Sequence, residues 1–228
     1  MFLKTKSYKT KVAILISGRG SNMQAIVNAC KNPDFPAEVV LVLSNKSDAL
    51  GLEFAQKEGI KTAIINHKDF SSRQDFDQKI SEIIEKSQAN IICLAGFMRL
   101  LSPWFVKKWE NKIINIHPSL LPDFKGADAV GDAIKAKAKI SGCSVHFVNE
   151  KMDEGEIILQ EKVEISPNDT KETLAYQELE DTVRRNKSQQ IQHYGATLKD
   201  LQDKSTGEIP STCSPFVKDP RPVTYYYP

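Results

Sequence analysis

Between residue 11 and about residue 117, short apolar runs alternate with longer segments whose apolar positions recur every three or four residues. The runs are Val12–Ile16, Val39–Leu43, Thr62–Ile65, Ile91–Ala95 and Ile113–Ile116. Each has the length of a strand and lacks strict in–out alternation, the pattern of strands covered on both faces. The intervening segments, Asn22–Cys30, Ala49–Lys57, Ser72–Lys86 and Pro103–Trp109, carry helical spacing. Such repetition predicts an α/β fold, a doubly wound and mostly parallel open sheet. Two further runs, Ser144–Val148 and Ile157–Ile165, predict later strands that extend this sheet, with an antiparallel pairing open to them.

The pattern changes after Pro167. Residues 176–205 keep a helical spacing but are highly charged with a thin apolar face, and residues 206–228 hold five prolines and little periodicity. The expected division is an N-terminal extension at 1–10, a main α/β domain at 11–175, an atypical helical segment at 176–205 and a proline-rich tail at 206–228. Composition favours a disordered tail over one that wraps the core.

Composition excludes several classes. The 228 residues are 40% apolar and 26% charged with a net charge of +2, enough for one core of moderate size. So balanced a charge gives no electrostatic reason to expect nucleic acid or a membrane surface as partner. Cys30, Cys93, Cys143 and Cys213 are far apart and form no CxxC, which argues against a zinc site or a disulfide framework and for a reducing compartment. The run "VAILI" is too short for a signal sequence or a membrane span, so a cytoplasmic protein is expected.

Three places carry candidate chemistry. In "VAILISGRGSNMQAI" a strand runs into Gly18, Arg19, Gly20, Ser21 and Asn22 and then a helix. Glycines allow a tight turn, and a helix start offers unpaired amides and a positive dipole end to an anion. The dinucleotide fingerprint fits poorly because its third glycine is missing, and the lysine of a Walker loop is absent. A plain strand-to-helix turn capped by Ser21 or Asn22 is the structural alternative. In "ICLAGFMRLLSP" a loop with Met98, Arg99 and Leu101 follows the fourth strand, where open α/β sheets bind ligands; core packing is the alternative there. In "INIHP", Asn115 and His117 stand two apart on a strand and face the same way. An amide can donate to a developing oxyanion, and an imidazole can move a proton near neutral pH. Asp153, in the loop of "KMDEGEII", can orient and charge an imidazole, although Asp-x-Gly is also common turn chemistry.

The ordered set "LISGRGSNMQAI", "SNKSDALGLEFAQKEGI", "LAGFMRLLSP", "NIHPSLLPDFKG", "GCSVHFV" and "MDEGEIILQ" resembles the folate-dependent phosphoribosylglycinamide formyltransferases over about residues 11–174. The resemblance implies a Rossmann-like formyltransferase fold and formyl transfer from the co-substrate 10-formyltetrahydrofolate to glycinamide ribonucleotide, with no metal. It implies Asn115, His117 and Asp153 as catalytic residues and Gly20, Ser21 and Asn22 as ligands of the substrate phosphate. It gives Met98, Arg99, Leu101, His146 and Val148 to the folate. Small-molecule substrates are the implied partners; nucleic acid and membrane are not among them.

Departures accompany the match. The loop after "FKG" reads Ala127-Asp128-Ala129-Val130 where the family usually carries histidines, and Glu156 stands where proline is usual. The helix expected to help hold the ribose phosphate is replaced by "YQELEDTVRRNKSQQIQHYG", in which Glu178, Glu180 and His193 are unaligned candidates. Formyltetrahydrofolate deformylases share the Asn-His-Asp core but normally read "HHSFLP" rather than "HPSLLP". Methionyl-tRNA formyltransferase needs a further RNA-binding domain. A non-catalytic folate-binding paralogue is the reading from outside enzymology.

Overall fold

The computed structural model describes residues 9–174. The extension up to residue 8, the segments at 176–205 and 206–228, and Glu178, Glu180 and His193 lie outside the described residues. Seven strands form one sheet in the order β3-β2-β1-β4-β5-β6-β7. They are β1 (Thr10–Ile16), β2 (Ala37–Ser44), β3 (Thr62–Ile64), β4 (Ile91–Leu94), β5 (Ile113–His117), β6 (Ile140–Phe147) and β7 (Ile157–Glu164). The first five run parallel, and β6 and β7 each pair antiparallel to the strand before. This is the doubly wound sheet the apolar runs predict, with the later pair antiparallel.

Helices α1 (Ser21–Cys30), α2 (Leu50–Lys57), α3 (Arg73–Lys86) and α4 (Pro103–Lys108) connect the parallel strands. Along β1, Val12, Ile14 and Ile16 pack with Met23, Val27, Leu52 and Ala55 from α1 and α2. Ala13 and Leu15 point the other way, onto Phe76, Ile80 and Ile84 of α3 and Phe105 and Trp109 at α4. Both faces of the strand are therefore dry, which is why its sequence is continuously apolar rather than alternating. Full burial of a side chain such as Phe76 or Phe105 is worth about 1.5–3 kcal/mol.

The helix starts differ in how they are capped. Ser72 caps α3 by accepting from the Asp75 amide at 3.1 Å, and Ser102 caps α4 by accepting from the Phe105 amide at 3.3 Å. Among the described residues no side chain caps α1, whose N-cap is Gly20, or α2, whose N-cap is Ala49. A fifth helix, α5 (Ala129–Lys135), follows β5 where no helix was expected. Gly131 and Asp132 weaken its local propensity, and it is held by Val130 packing with Val163 and Leu174.

Strand register sets the site. Leu43, Leu15, Leu94, Asn115, His146 and Ile157 form one row across six strands. Paired residues in a sheet point to the same face, so Asn115 and His146 stand on the face that α3 and α4 cover around Leu15 and Leu94.

Candidate active site

At the switch point between β1 and β4, the helices leave for opposite faces and the strand ends open a crevice, the usual ligand position in such sheets. The turn after β1 enters α1 through Gly20 at φ 73°. A Cβ there would meet Met23 Cε at 2.9 Å and the Gly51 backbone at 3.1 Å, so both conformation and space require glycine. Gly51 amide nitrogen also donates to the Gly18 carbonyl at 3.2 Å, which ties the turn to α2. The result is a rigid turn and an uncapped helix start at Ser21 and Asn22, with the first-turn amides available to an anion.

Across the crevice, β5 carries Asn115 and His117, and the β6–β7 connection carries Asp153. His117 Nδ1 lies 3.5 Å from Asp153 Oδ2, and both side chains are nearly buried. His117 Nε2 is 2.9 Å from the Phe124 carbonyl, which can only accept, so this nitrogen carries a proton. Both ring nitrogens thus face oxygen acceptors. Asp153 Oδ2 also accepts from the Gly126 amide at 2.8 Å. These bonds join the loop after β5 to the loop after β6 directly over the imidazole.

Backbone shape aims Asp153 at its target. The residue sits at φ 53°, a left-handed conformation that aspartate tolerates better than most side chains. Two residues on, a Cβ at Gly155 would come within 1.6 Å of the Phe147 carbonyl oxygen, so only glycine fits. Glu156 contributes its carbonyl to the Phe147 amide at 2.9 Å and turns its side chain to solvent. Proline supplies the same carbonyl, so this departure from the family pattern leaves the turn intact.

His146 is drawn into the same cluster. It pairs with Asn115 in the sheet, and Asn115 Nδ2 lies 3.1 Å from His146 Nε2. His146 Nδ1 is 2.8 Å from the Phe147 carbonyl and so carries the ring proton, leaving Nε2 to accept from the Asn115 amide. Burial pushes the His146 pKa down, with the Phe147 carbonyl and the Asp153 charge opposing it. A neutral His146 therefore orients the amide and leaves the second Nδ2 hydrogen of Asn115 for another acceptor. Its Nε2 stands 3.7 Å from Asp153 Oδ1.

The model of the family described as formyl transferase matches residues 10–186. The chain belongs to the formyl transferase family. It is 40% identical over 189 residues to a phosphoribosylglycinamide formyltransferase of Haemophilus influenzae, covering 83% of this chain and 85% of that one. It is 51% identical over 172 residues to the trifunctional purine biosynthetic protein adenosine-3 of Gallus gallus, covering 75% of this chain. The chain spans only 17% of that larger protein's length. Among solved structures, the phosphoribosylglycinamide formyltransferase of Brucella melitensis aligns with a TM-score of 0.74 and 41% identity, covering 85% of this chain and 95% of that one.

In this formyl transferase the remaining predicted residues lie in two places. Met98 and Arg99 are exposed on the loop after β4, and Leu101 is half-buried. Val148 follows β6 and lines a groove of 410 Å³ between α4 and the 147–156 segment, with Val106, Lys107 and Asn149 among its walls. Met98, Arg99 and Leu101 are not part of that groove. Among the described residues no group of three or more His, Cys, Asp or Glu side chains is arranged to hold a metal ion, and no helix is long and apolar enough to cross a membrane.

Three supporting residues escaped the sequence reading. Ser144 Oγ donates to the Ser119 carbonyl at 2.6 Å and accepts from the Leu121 amide at 3.0 Å. Gln160 Nε2 donates to the Leu121 carbonyl at 2.8 Å and to Ser144 Oγ at 2.9 Å. Ser119 Oγ donates to the Asp123 carbonyl at 2.6 Å. Together they fix the loop that presents Phe124 and Gly126. The available signal was positional: in antiparallel register, Ser144 faces His117 and Gln160 faces Ser144.

Proposed function

We propose that the chain transfers the formyl group of 10-formyltetrahydrofolate to the amine of glycinamide ribonucleotide, a step of purine biosynthesis. The observation that carries this reading is the cluster of Asn115, His117 and Asp153 at one end of a crevice whose other end is an uncapped helix start. The two ends are two strands apart, roughly 10 Å at the usual strand spacing. That suits a substrate with a phosphate at one end and a primary amine at the other. The relatives of similar length named phosphoribosylglycinamide formyltransferase support the same choice.

In this reading Gly20, Ser21 and Asn22 hold the phosphate, and Met98, Arg99, Leu101 and Val148 border the folate. The amine lone pair attacks the formyl carbon, and the carbonyl π pair moves onto oxygen. Asn115 donates its second amide hydrogen to that oxyanion. His117 donates Nε2–H, with the formyl oxygen replacing the Phe124 carbonyl as acceptor, and Asp153 stabilises the charged imidazole. The ammonium proton then leaves through water toward Asp153, the oxyanion pair reforms the carbonyl as the bond from carbon to the folate nitrogen breaks, and that nitrogen takes up the relayed proton. The products are the formylated amide and tetrahydrofolate. His146 acts by holding Asn115 rather than as a wall for the folate. No metal enters these steps, the partners are small molecules, and the setting is the cytoplasm.

The test is to mix the protein with 10-formyltetrahydrofolate and glycinamide ribonucleotide and follow folate absorbance. Turnover by the wild type and a roughly 10³-fold lower kcat in Asp153→Asn are expected. Absent turnover, or turnover untouched by that substitution, overturns the reading. Formate release without the amine identifies a hydrolase instead.

A further inference from the structure

The segment between β4 and α4 carries exposed Met98, Arg99 and Leu100, yet both of its ends are fixed by buried side chains from other elements. At the first end, the Met98 amide donates to Ser17 Oγ at 2.8 Å, and that hydroxyl donates onward to Asn45 Oδ1 at 2.5 Å. At the other end, the Ser102 amide donates to Asp77 Oδ2 at 2.5 Å. Asp77 belongs to α3 and is wholly buried, and its second oxygen, Oδ1, meets no hydrogen-bond partner among the described residues. A carboxylate in that position costs solvation that one amide bond does not restore. Burial accordingly pushes its pKa up, against the Ser102 contacts and the charges of Arg73 and Arg99. An apolar residue would carry no such solvation cost, so the carboxylate is explained by what it holds. It holds Ser102, which in turn caps α4 through Phe105.

We propose that Asp77 is a positioning residue for the formyl-folate co-substrate, fixing the Met98–Ser102 segment as a prebuilt wall of the crevice. This rests on the formyl-transfer reading, in which that wall borders the folate. Asp77 touches neither substrate nor the Asn115–His117–Asp153 cluster. Its loss therefore acts on one substrate and leaves the reacting geometry in place.

The experiment compares Asp77→Leu, which keeps the branched heavy-atom skeleton and removes the acceptor, with Asp77→Asn, which keeps one acceptor oxygen. In Asp77→Leu the KM for 10-formyltetrahydrofolate rises about tenfold, while the KM for glycinamide ribonucleotide and kcat each change less than about threefold. Asp77→Asn returns the folate KM to within about threefold of wild type. Parallel rises in both KM values, an unchanged folate KM, or an Asn variant no better than Leu overturn the proposal. A measurement on the unmodified chain stands independently of how the variants fold: the Met98 and Ser102 amides exchange hydrogen more slowly than the amides of Arg99 and Leu100 between them. Uniformly fast exchange overturns the pinning. Titration of the unmodified chain with 10-formyltetrahydrofolate, followed by tryptophan fluorescence, separates the two failures. Folate binding that Asp77→Leu leaves intact defeats the positioning role, whereas no folate binding by the unmodified chain defeats the formyl-transfer reading itself.

Discussion

The two ends of the crevice are built by different means. In the proposed reading the working groups at the β1 end are backbone amides, and glycines shape them. At the β5–β6 end they are side chains, and strand register brings them together. Backbone needs room and a rare dihedral, so Gly20 is dictated by Met23, Gly51 and its φ of 73°. Side chains need neighbours that fix proton positions, so Asn115 depends on His146 and His117 on Phe124 and Asp153. A substitution at the first end should act through affinity, and one at the second end through chemistry.

The largest expected effect breaks the side-chain end. Asn115→Ala removes one oxyanion donor and leaves His146 Nε2 without its partner. A kcat loss of about 10²–10³-fold is expected, with the KM for glycinamide ribonucleotide nearly unchanged. Steady-state kinetics with both substrates decides it, and a loss confined to KM would remove Asn115 from the chemistry. The next effect breaks the backbone end. Gly20→Ala forces a left-handed dihedral and a contact of 2.9 Å with Met23 Cε. The KM for the ribonucleotide should rise about tenfold while kcat stays within about threefold. If inorganic phosphate inhibits wild type and variant equally, the helix start is not the phosphate site.

A smaller effect tests the scaffold beneath the side-chain end. Ser144→Ala leaves the Leu121 amide and the Ser119 carbonyl without their shared partner in a buried setting. Loss of about 1–3 kcal/mol is expected by urea denaturation. A variant as stable as wild type would mean that Gln160 or water replaces the hydroxyl at no cost.

The same division explains what could be read from the sequence. The parallel half was legible because burial on both faces leaves continuous apolar runs, and β1 to β5 fall within a few residues of those runs. The glycine-shaped turn was legible because glycine followed by Ser21 and Asn22 is a local signal. The antiparallel half was less so. The pairing of His146 with Asn115 was not foreseen, because it depends on register, which apolar pattern does not fix. Ser144, Gln160 and Ser119 were missed for the same reason. Asp153 was legible as a carboxylate in a glycine-flanked loop, and the resemblance joined it to His117, since nothing local says that a loop after β6 folds back to reach that ring. Helix α5 was missed because Val130 makes it through packing with Val163 and Leu174, against the propensity of Gly131.

The smallest effect sharpens the comparison through two buried titrating groups, one in each setting. His146, in the side-chain cluster, has its pKa lowered by burial. Between its folded pKa and the ordinary histidine value, the unfolded chain binds a proton that the folded chain does not. Stability therefore falls as pH drops below about 6.5. Asp77, under the wall of the crevice, has its pKa raised by burial. There the folded chain keeps a proton that the unfolded chain has released, so stability falls as pH rises from about 3.9 toward the folded value. The slopes have opposite sign because burial disfavours charge, and charge appears on opposite sides of the two titrations. Exposed carboxylates such as Glu154, lowered mainly by hydrogen bonding to Lys125, add a positive slope of their own in acid. Each contribution is therefore read as a difference from its neutral variant. Denaturation of wild type and His146→Gln from pH 7 to pH 5 should converge on lowering pH, as wild type loses the advantage of a neutral imidazole. For Asp77→Asn, the difference should shift steadily against wild type as pH is raised from 4 until Asp77 is fully ionised. A difference in the first pair that widens in favour of wild type on lowering pH would mean that His146 is charged in the fold, and the proton assignment that leaves an Asn115 amide hydrogen for the proposed oxyanion would fall with it.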